Sequence, residues 1–190
     1  PAGHFLLFAT KLGLIKKTKL EEYVRINKNG KYALRFKLDG DSLVNVRCGT
    51  EDVDIVMISS TGLASRFSCS DINATGRVSA GKYGIKTGNR KNADGGHVVG
   101  MIATGNVSTQ ILTISRNGMA KRSRFGTGER IPNLDAEGVQ KMNKEGELLF
   151  ETDGYRKTRP GAKGAYTMNL DAVAEDEIIS ARHIPDLGDQ

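Results

Sequence analysis

Tryptophan is absent from this chain, and aromatic residues are few: six Phe and five Tyr among 190 residues. Cysteine is nearly absent as well. Cys48 and Cys69 stand 21 residues apart, with no CxxC and no clustered histidine. That spacing supports neither a zinc site nor a disulfide framework, and two buried free thiols in a reducing cytoplasm are expected. Long apolar runs are missing. The longest, Phe5 to Ala9, is far too short to span a bilayer, and nothing resembles a signal peptide. His4, His97 and His183 are scattered, so neither a catalytic triad nor a metal-ligand spacing emerges. Gly95-Gly96 and Gly126-Thr127-Gly128 lack the strand and helix context of a phosphate cradle and read as turns. No cofactor or metal is therefore expected. The acidic pairs Asp52/Asp54 and Glu175/Asp176 sit beside turns and read as solvated loops.

What the chain does have is glycine, 23 residues of it, and only four prolines. The glycines punctuate a phrase that recurs: an apolar run, a glycine, then basic residues. It reads Phe5-Leu6-Leu7-Phe8 with Gly13 and Lys16-Lys17, then Ile55-Val56-Met57-Ile58 with Gly62 and Arg66, then Ile111-Leu112-Thr113-Ile114 with Gly118 and Lys121-Arg122. Gly13, Gly62 and Gly118 lie 49 and then 56 residues apart. A period of that size marks stacked or radially arranged supersecondary units.

Each unit begins with a hairpin. Residues 4–10 and Leu14 to Thr18 are strands joined through Gly13, and the later copies turn through Ser60-Thr61-Gly62 and Arg116-Asn117-Gly118. Each unit's second half opens on a glycine–lysine element. Gly30 to Leu38 alternates, with Leu34, Phe36 and Leu38 on one side and Arg35 and Lys37 on the other, as in a half-buried strand; Leu43 to Val46 returns. Gly81 to Lys86 and Gly161 to Met168 take the same place later, with His97 to Ala103 and Ile178 to Ile184 as returns. Four strands and about 50 residues per unit indicate an all-β, propeller-like fold of about three blades, 1–52, 53–107 and 108–184. The third blade carries an insertion of about 25 residues within 124–157, read as an added hairpin, with a short helix or loop over 132–145.

Charge is unevenly placed. Residues 171–190 hold six acids and one base, a net −5, while the remaining body has 27 basic and 16 acidic residues, a net +11. A basic body with an acidic end points to a polyanionic partner and to a tail, 185–190, that competes for the same surface.

Phe8 to Tyr23, Asp39 to Val44, Arg66-Phe67, Gly76-Arg77, Gly81 to Lys86 and Ile111 to Arg122 together resemble the C-terminal domain of the bacterial DNA gyrase A protein. The related domain of the topoisomerase IV A protein is the near alternative. The likeness covers roughly residues 4–125 and 158–184, in order and in register. It implies a β-pinwheel whose basic outer edge binds and wraps double-stranded DNA without reading its sequence. DNA would then be presented to the cleavage core for supercoiling. It also implies a cytoplasmic, nucleoid-associated accessory domain that is not an enzyme on its own. Its partners would be the rest of the topoisomerase A protein and, through it, the ATPase subunit, with no membrane. The catalytic tyrosine would lie in the separate cleavage domain. The family's signature box, glutamine-arginine-arginine-glycine-glycine-lysine-glycine, has no full copy. Thr158 to Gly164 matches its degenerate form, and the chain reads as starting beyond the blade that bears the box.

Wrapping needs a row of cations on a rigid curved edge, because each neutralised phosphate releases counterions without sequence preference. The candidates are Lys16, Lys17, Lys19, Lys31, Arg35 and Lys37 in the first blade. Arg66, Arg77, Lys82, Lys86, Arg90 and Lys91 follow in the second, and Arg116, Lys121, Arg122, Arg124, Arg159 and Lys163 in the third. Two other readings compete: a propeller that binds a protein partner, and an enzyme on a propeller scaffold. The first needs an apolar or mixed surface patch and the second a convergent polar pocket.

Overall fold

The computed structural model describes residues 2–25, 27–88, 95–170 and 175–184. Its strands, in chain order, are β1 (Phe5–Thr10), β2 (Leu14–Lys19), β3 (Leu43–Gly49), β4 (Asp54–Ser59), β5 (Leu63–Ser68), β6 (Lys82–Tyr83) and β7 (Val98–Thr104). They continue as β8 (Gln110–Ser115), β9 (Ala120–Arg124), β10 (Arg130–Pro132), β11 (Phe150–Thr152), β12 (Ala165–Tyr166) and β13 (Ile178–Ile184).

Three hairpins, β1–β2, β4–β5 and β8–β9, organise the chain. They turn at Gly13, Gly62 and Gly118, whose φ angles of 94°, 87° and 87° would cost a residue with a β-carbon. Leu7 faces Lys17, Val56 faces Arg66, and Leu112 faces Arg122, so the hairpins superimpose residue for residue. Each hairpin receives one strand of its own unit on the first strand's free edge: β3 on β1, β7 on β4, β13 on β8. β7 also contacts both β3 and β13, so these three strands meet on the inner side of the array.

The fourth strand comes from the following unit. β6 pairs with β2, placing Tyr83 opposite Leu14, and β12 pairs with β5, placing Tyr166 opposite Leu63. Blade order is therefore β3-β1-β2-β6 and β7-β4-β5-β12, and the third sheet, β13-β8-β9, holds three strands among the described residues. This exchange corrects two expectations. Gly30 to Leu38 forms no strand, and the two later elements of this kind pair with the preceding blade and not with their own. Gly81 is matched by Gly164 rather than Gly161. A β-carbon on either would lie 2.4 Å from the Ile15 carbonyl oxygen or 2.1 Å from that of Ala64, so only glycine lets these strands dock.

Alternation on β4 explains the core. Ile55 and Met57 face one way and Val56 and Ile58 the other, and all are fully buried. The first pair joins Leu7, Ile15, Phe67 and Ile85 between blades one and two. The second joins Ile102, Ile111, Phe125 and Ile178 between blades two and three. Each such side chain contributes about 1.5–3 kcal/mol by leaving water.

Residues 124–157 contain a hairpin, and residues 132–145, read as a short helix or a loop, are loop beyond Pro132. β10 pairs with β11, and two loops of the same design follow within it. Asp135 Oδ1 accepts the N–H groups of Glu137 and Val139, and Asn143 Oδ1 accepts those of Glu145 and Glu147. These side-chain caps offer the backbone an alternative to helix. The thiols also differ from expectation: Cys69 is buried, but Cys48 on β3 is exposed.

Candidate nucleic-acid interface

Three of the basic candidates lie inside the protein. Lys16, Lys17 and Arg66 are 1%, 2% and 2% exposed. Lys16 Nζ donates to the carbonyl oxygens of Ala33, at 2.6 Å, and Arg77. Burial first, and then the charge of Arg77, lower its pKa to about 8 against an opposing pull from Glu22. Lys17 Nζ lies 2.8 Å from Glu51, 2.9 Å from the Cys69 carbonyl oxygen and over the Phe5 ring. Arg66 Nε and Nη2 donate to Asp54 Oδ2 at 2.9 and 2.7 Å. Its Nη1 donates to the carbonyl oxygens of Phe125, Gly126 and Tyr155, and its guanidinium stacks on Phe125. These cations hold blades together and have no reach to a polyanion. A long basic side chain on a strand looks like an outer face in sequence, yet here the next blade covers it. Asp54, read as solvated, is buried against Arg66 and lies 3.0 Å from Lys157 Nζ.

The exposed candidates gather where the exchanged strands run. β6 and β12 lie at the edge opposite the inner strands, so they form the outer rim. Lys82, Lys86, Arg159 and Lys163 are exposed on or beside them. Neighbouring rim segments are bonded to each other: Gly161 N–H donates to the Gly84 carbonyl oxygen at 2.9 Å, and Lys86 N–H to that of Ala162 at 3.2 Å. The rim thus runs unbroken from blade one to blade two. Tyr83 and Tyr166 stand half-exposed along it.

Blade three continues the track. Lys121, Arg122 and Arg124 are exposed on β9. A cleft of about 550 Å³ is lined by Lys121, Arg124, Arg156 and the β12 residues Ala165 and Tyr166. Arg124 lies 3.8 Å from Asp153, whose pKa is lowered mainly by hydrogen bonding from the Thr127 backbone.

The remaining candidates lie elsewhere. Lys19 closes β2 and is exposed; Arg35 and Lys37 are exposed and Lys31 half-buried in the segment that forms no strand. Arg77 is half-buried, 4.0 Å from Glu22. Arg116 is paired with Glu177, and the adjacent Asn117 N–H donates to Asp176, so acidic groups of the last unit meet the β8–β9 turn. Arg90, Lys91 and the tail 185–190 lie outside the described residues. Arg156 and Lys157 escaped the sequence reading because they belong to the insertion, away from the repeated positions. Among the described residues, no group of three His, Cys, Asp or Glu could hold a metal, and no helix is long and apolar enough to cross a membrane.

An open array of strand-exchanged antiparallel blades with a basic outer rim defines the class: a propeller-like repeat domain. More particularly, the chain belongs to the family described as DNA gyrase C-terminal domain, beta-propeller, whose model matches residues 4–49, 54–104 and 109–126. The matched stretches include the hairpins and leave out the insertion. Among curated relatives, the DNA gyrase A protein of Staphylococcus epidermidis is 36% identical over 137 residues, covering 72% of this chain and 15% of that protein. The DNA gyrase A protein of Metamycoplasma arthritidis is 32% identical over 178 residues, covering 94% of this chain and 16% of that protein. The chain therefore spans about a sixth of the length of these relatives. Among solved structures, the C-terminal domain of DNA topoisomerase IV superposes with a TM-score of 0.59 at 18% identity, over 96% of this chain and 62% of that one. A DNA gyrase A C-terminal domain gives 0.56 at 18% identity, over 97% and 67%. These two likenesses concern the fold.

Proposed function

We propose that this chain is a C-terminal accessory domain of a bacterial type IIA topoisomerase A protein, of the gyrase kind. Its rim binds duplex DNA without sequence preference and bends it along the blades. The DNA is thereby presented to the cleavage core, which lies in the rest of the A protein and works with an ATPase subunit in the cytoplasm. The observation that carries this reading is the continuity of the rim: Lys82 on β6 and Lys86, Arg159 and Lys163 beside β6 and β12 lie in segments hydrogen-bonded to each other across the blade boundary. Rigid, regularly placed cations suit a phosphate backbone. Each contact releases counterions and lowers the slope of log K against log salt by about 0.9. Bending by 40–90° costs about 1–6 kcal/mol, offset by the contacts the bend permits. The relatives named as gyrase A proteins favour a gyrase parent over topoisomerase IV.

Binding to linear duplexes of about 20 and about 150 bp, titrated over salt, tests this, because a longer path along the rim engages more phosphates. Wrapping gives a steeper salt slope for the longer duplex. Equal slopes would mean binding without bending along the rim, and no binding near about 50 mM salt would leave a blade array with no DNA grip.

A further inference from the structure

Of the five tyrosines, two have their hydroxyls engaged within the protein. Tyr155 is buried and its hydroxyl is bonded to Thr167 Oγ1, and the Tyr23 hydroxyl donates to the Ala33 carbonyl oxygen at 3.4 Å. Tyr83 and Tyr166 differ. They hold the same place in the two exchanged strands, opposite the buried Leu14 and Leu63. They are 52% and 45% exposed, and neither hydroxyl has a hydrogen-bond partner among the described residues.

Neighbours within the array leave this position open. Tyr83 has the following rim segment against it: a β-carbon on Gly161 would lie 3.5 Å from Tyr83 Cβ. Tyr166 has blade one before it and sits on the hairpin turn of its own blade, where a β-carbon on Gly62 would lie 3.8 Å from its Cδ1. Each tyrosine has a neighbour that the other lacks, and both remain half-exposed.

Cations flank both rings along the chain. Lys82 immediately precedes Tyr83 and Lys86 follows it, while Lys163 precedes Tyr166, and all three lysines are exposed. The strand backbone fixes the base of each ring, and a tyrosine has only two side-chain torsions left to order. Its apolar body and donor tip match the two parts of a nucleic-acid backbone, the face of a deoxyribose and a phosphate oxygen. Contacts of that kind position a duplex and carry no sequence information.

We propose that Tyr83 and Tyr166 make a second, non-ionic kind of DNA contact on the rim: each ring lies on a deoxyribose, and each phenol O–H donates to a phosphate oxygen. The inference rests on the reading of the rim as a duplex-binding edge. Flexible lysines grip phosphates at many positions along a duplex. One tyrosine per blade, held on the strand, sets the duplex in phase with the blades.

Duplex binding over salt tests this with Tyr83→Phe and Tyr166→Phe combined, a variant that keeps both rings and so the fold. Affinity falls about tenfold, as for two lost hydrogen bonds. The slope of log K against log salt keeps its wild-type value, because no cation is lost. With meta-fluorotyrosine at every tyrosine, the fluorine resonances of Tyr83 and Tyr166, assigned from the single variants, shift on adding duplex, and that of the buried Tyr155 does not. Wild-type affinity in the double variant, a slope made shallower by it, or rim tyrosine resonances that ignore bound duplex each overturn the inference while leaving the cationic grip of the rim intact. A wild-type chain that binds no duplex near about 50 mM salt defeats the proposed function as well.

Discussion

Arg66 and Arg122 occupy the same place in successive hairpins, opposite Val56 and Leu112, yet one is sealed and the other open to solvent. Arg66 has a following blade and spends its donors on Asp54 and three carbonyl oxygens. Arg122 has no further blade beyond it among the described residues and is exposed. Lys17, at the same place in the first blade, is sealed like Arg66. Position in the repeat therefore does not set the role of a cation; the presence of the next blade does.

Substituting the two arginines separates these roles most strongly. Arg66→Met leaves three carbonyl oxygens buried without their partner and Asp54 with Lys157 as its remaining counter-charge, and should cost about 3 kcal/mol in urea denaturation. Arg122→Met should stay within about 0.5 kcal/mol, as an exposed substitution does, while weakening DNA binding. Similar losses of stability at both positions would erase the distinction.

Gly30 and Gly164, which precede similar Lys-Tyr and Ala-Tyr pairs, sharpen the comparison. Gly30 and Gly164 have φ angles of 75° and 81°, so alanine carries a similar backbone strain of about 1–3 kcal/mol at each. Only at Gly164 does the new β-carbon also meet a carbonyl, that of Ala64. Gly164→Ala should therefore destabilise the monomer more than Gly30→Ala, read as a larger drop in Tm; equal drops would argue against docking of β12 on β5.

A smaller effect concerns Lys16. Its pKa is about 8 in the fold, against 10.5 for a free lysine. Between these values the unfolded chain holds the proton and the folded chain does not, so this site's contribution to stability rises with pH across that window and is flat below it. Burial raises the Cys69 thiol to about 11, which acts in the opposite direction above pH 9. The readout is therefore the difference between wild type and Lys16→Met. Wild type should gain on the variant between pH 8 and 10, and a constant difference would remove the buried-ammonium reading.

The hairpins were legible in the sequence because Gly13, Gly62 and Gly118 are local requirements of local turns. Strand exchange was not. Gly81-Lys82-Tyr83 announces an extended segment, but a two-residue ladder carries no mark of which sheet receives it. The buried cations were illegible for a related reason: alternation assigns a face within a sheet, and only packing decides whether that face meets water. One signal was present. Asp54 opens the strand paired with Arg66, and an acid at the head of an apolar run is a natural counter-charge for a buried guanidinium. The rim residues Lys82, Lys86, Arg159 and Lys163 were named from the repeat, and their continuity came only from the bonds between Gly161 and Gly84 and between Lys86 and Ala162.

On the proposed reading, exposed rim cations and not the buried ones engage the phosphate backbone. Its most direct test is the salt dependence of duplex binding for the wild-type chain and for a variant combining Lys82→Ala, Lys86→Ala and Lys163→Ala. The slope of log K against log salt should become shallower by about 2.7, three contacts at about 0.9 each, with thermal stability little changed. An unchanged slope in a folded variant would contradict it and move the DNA contact, if any, off the rim.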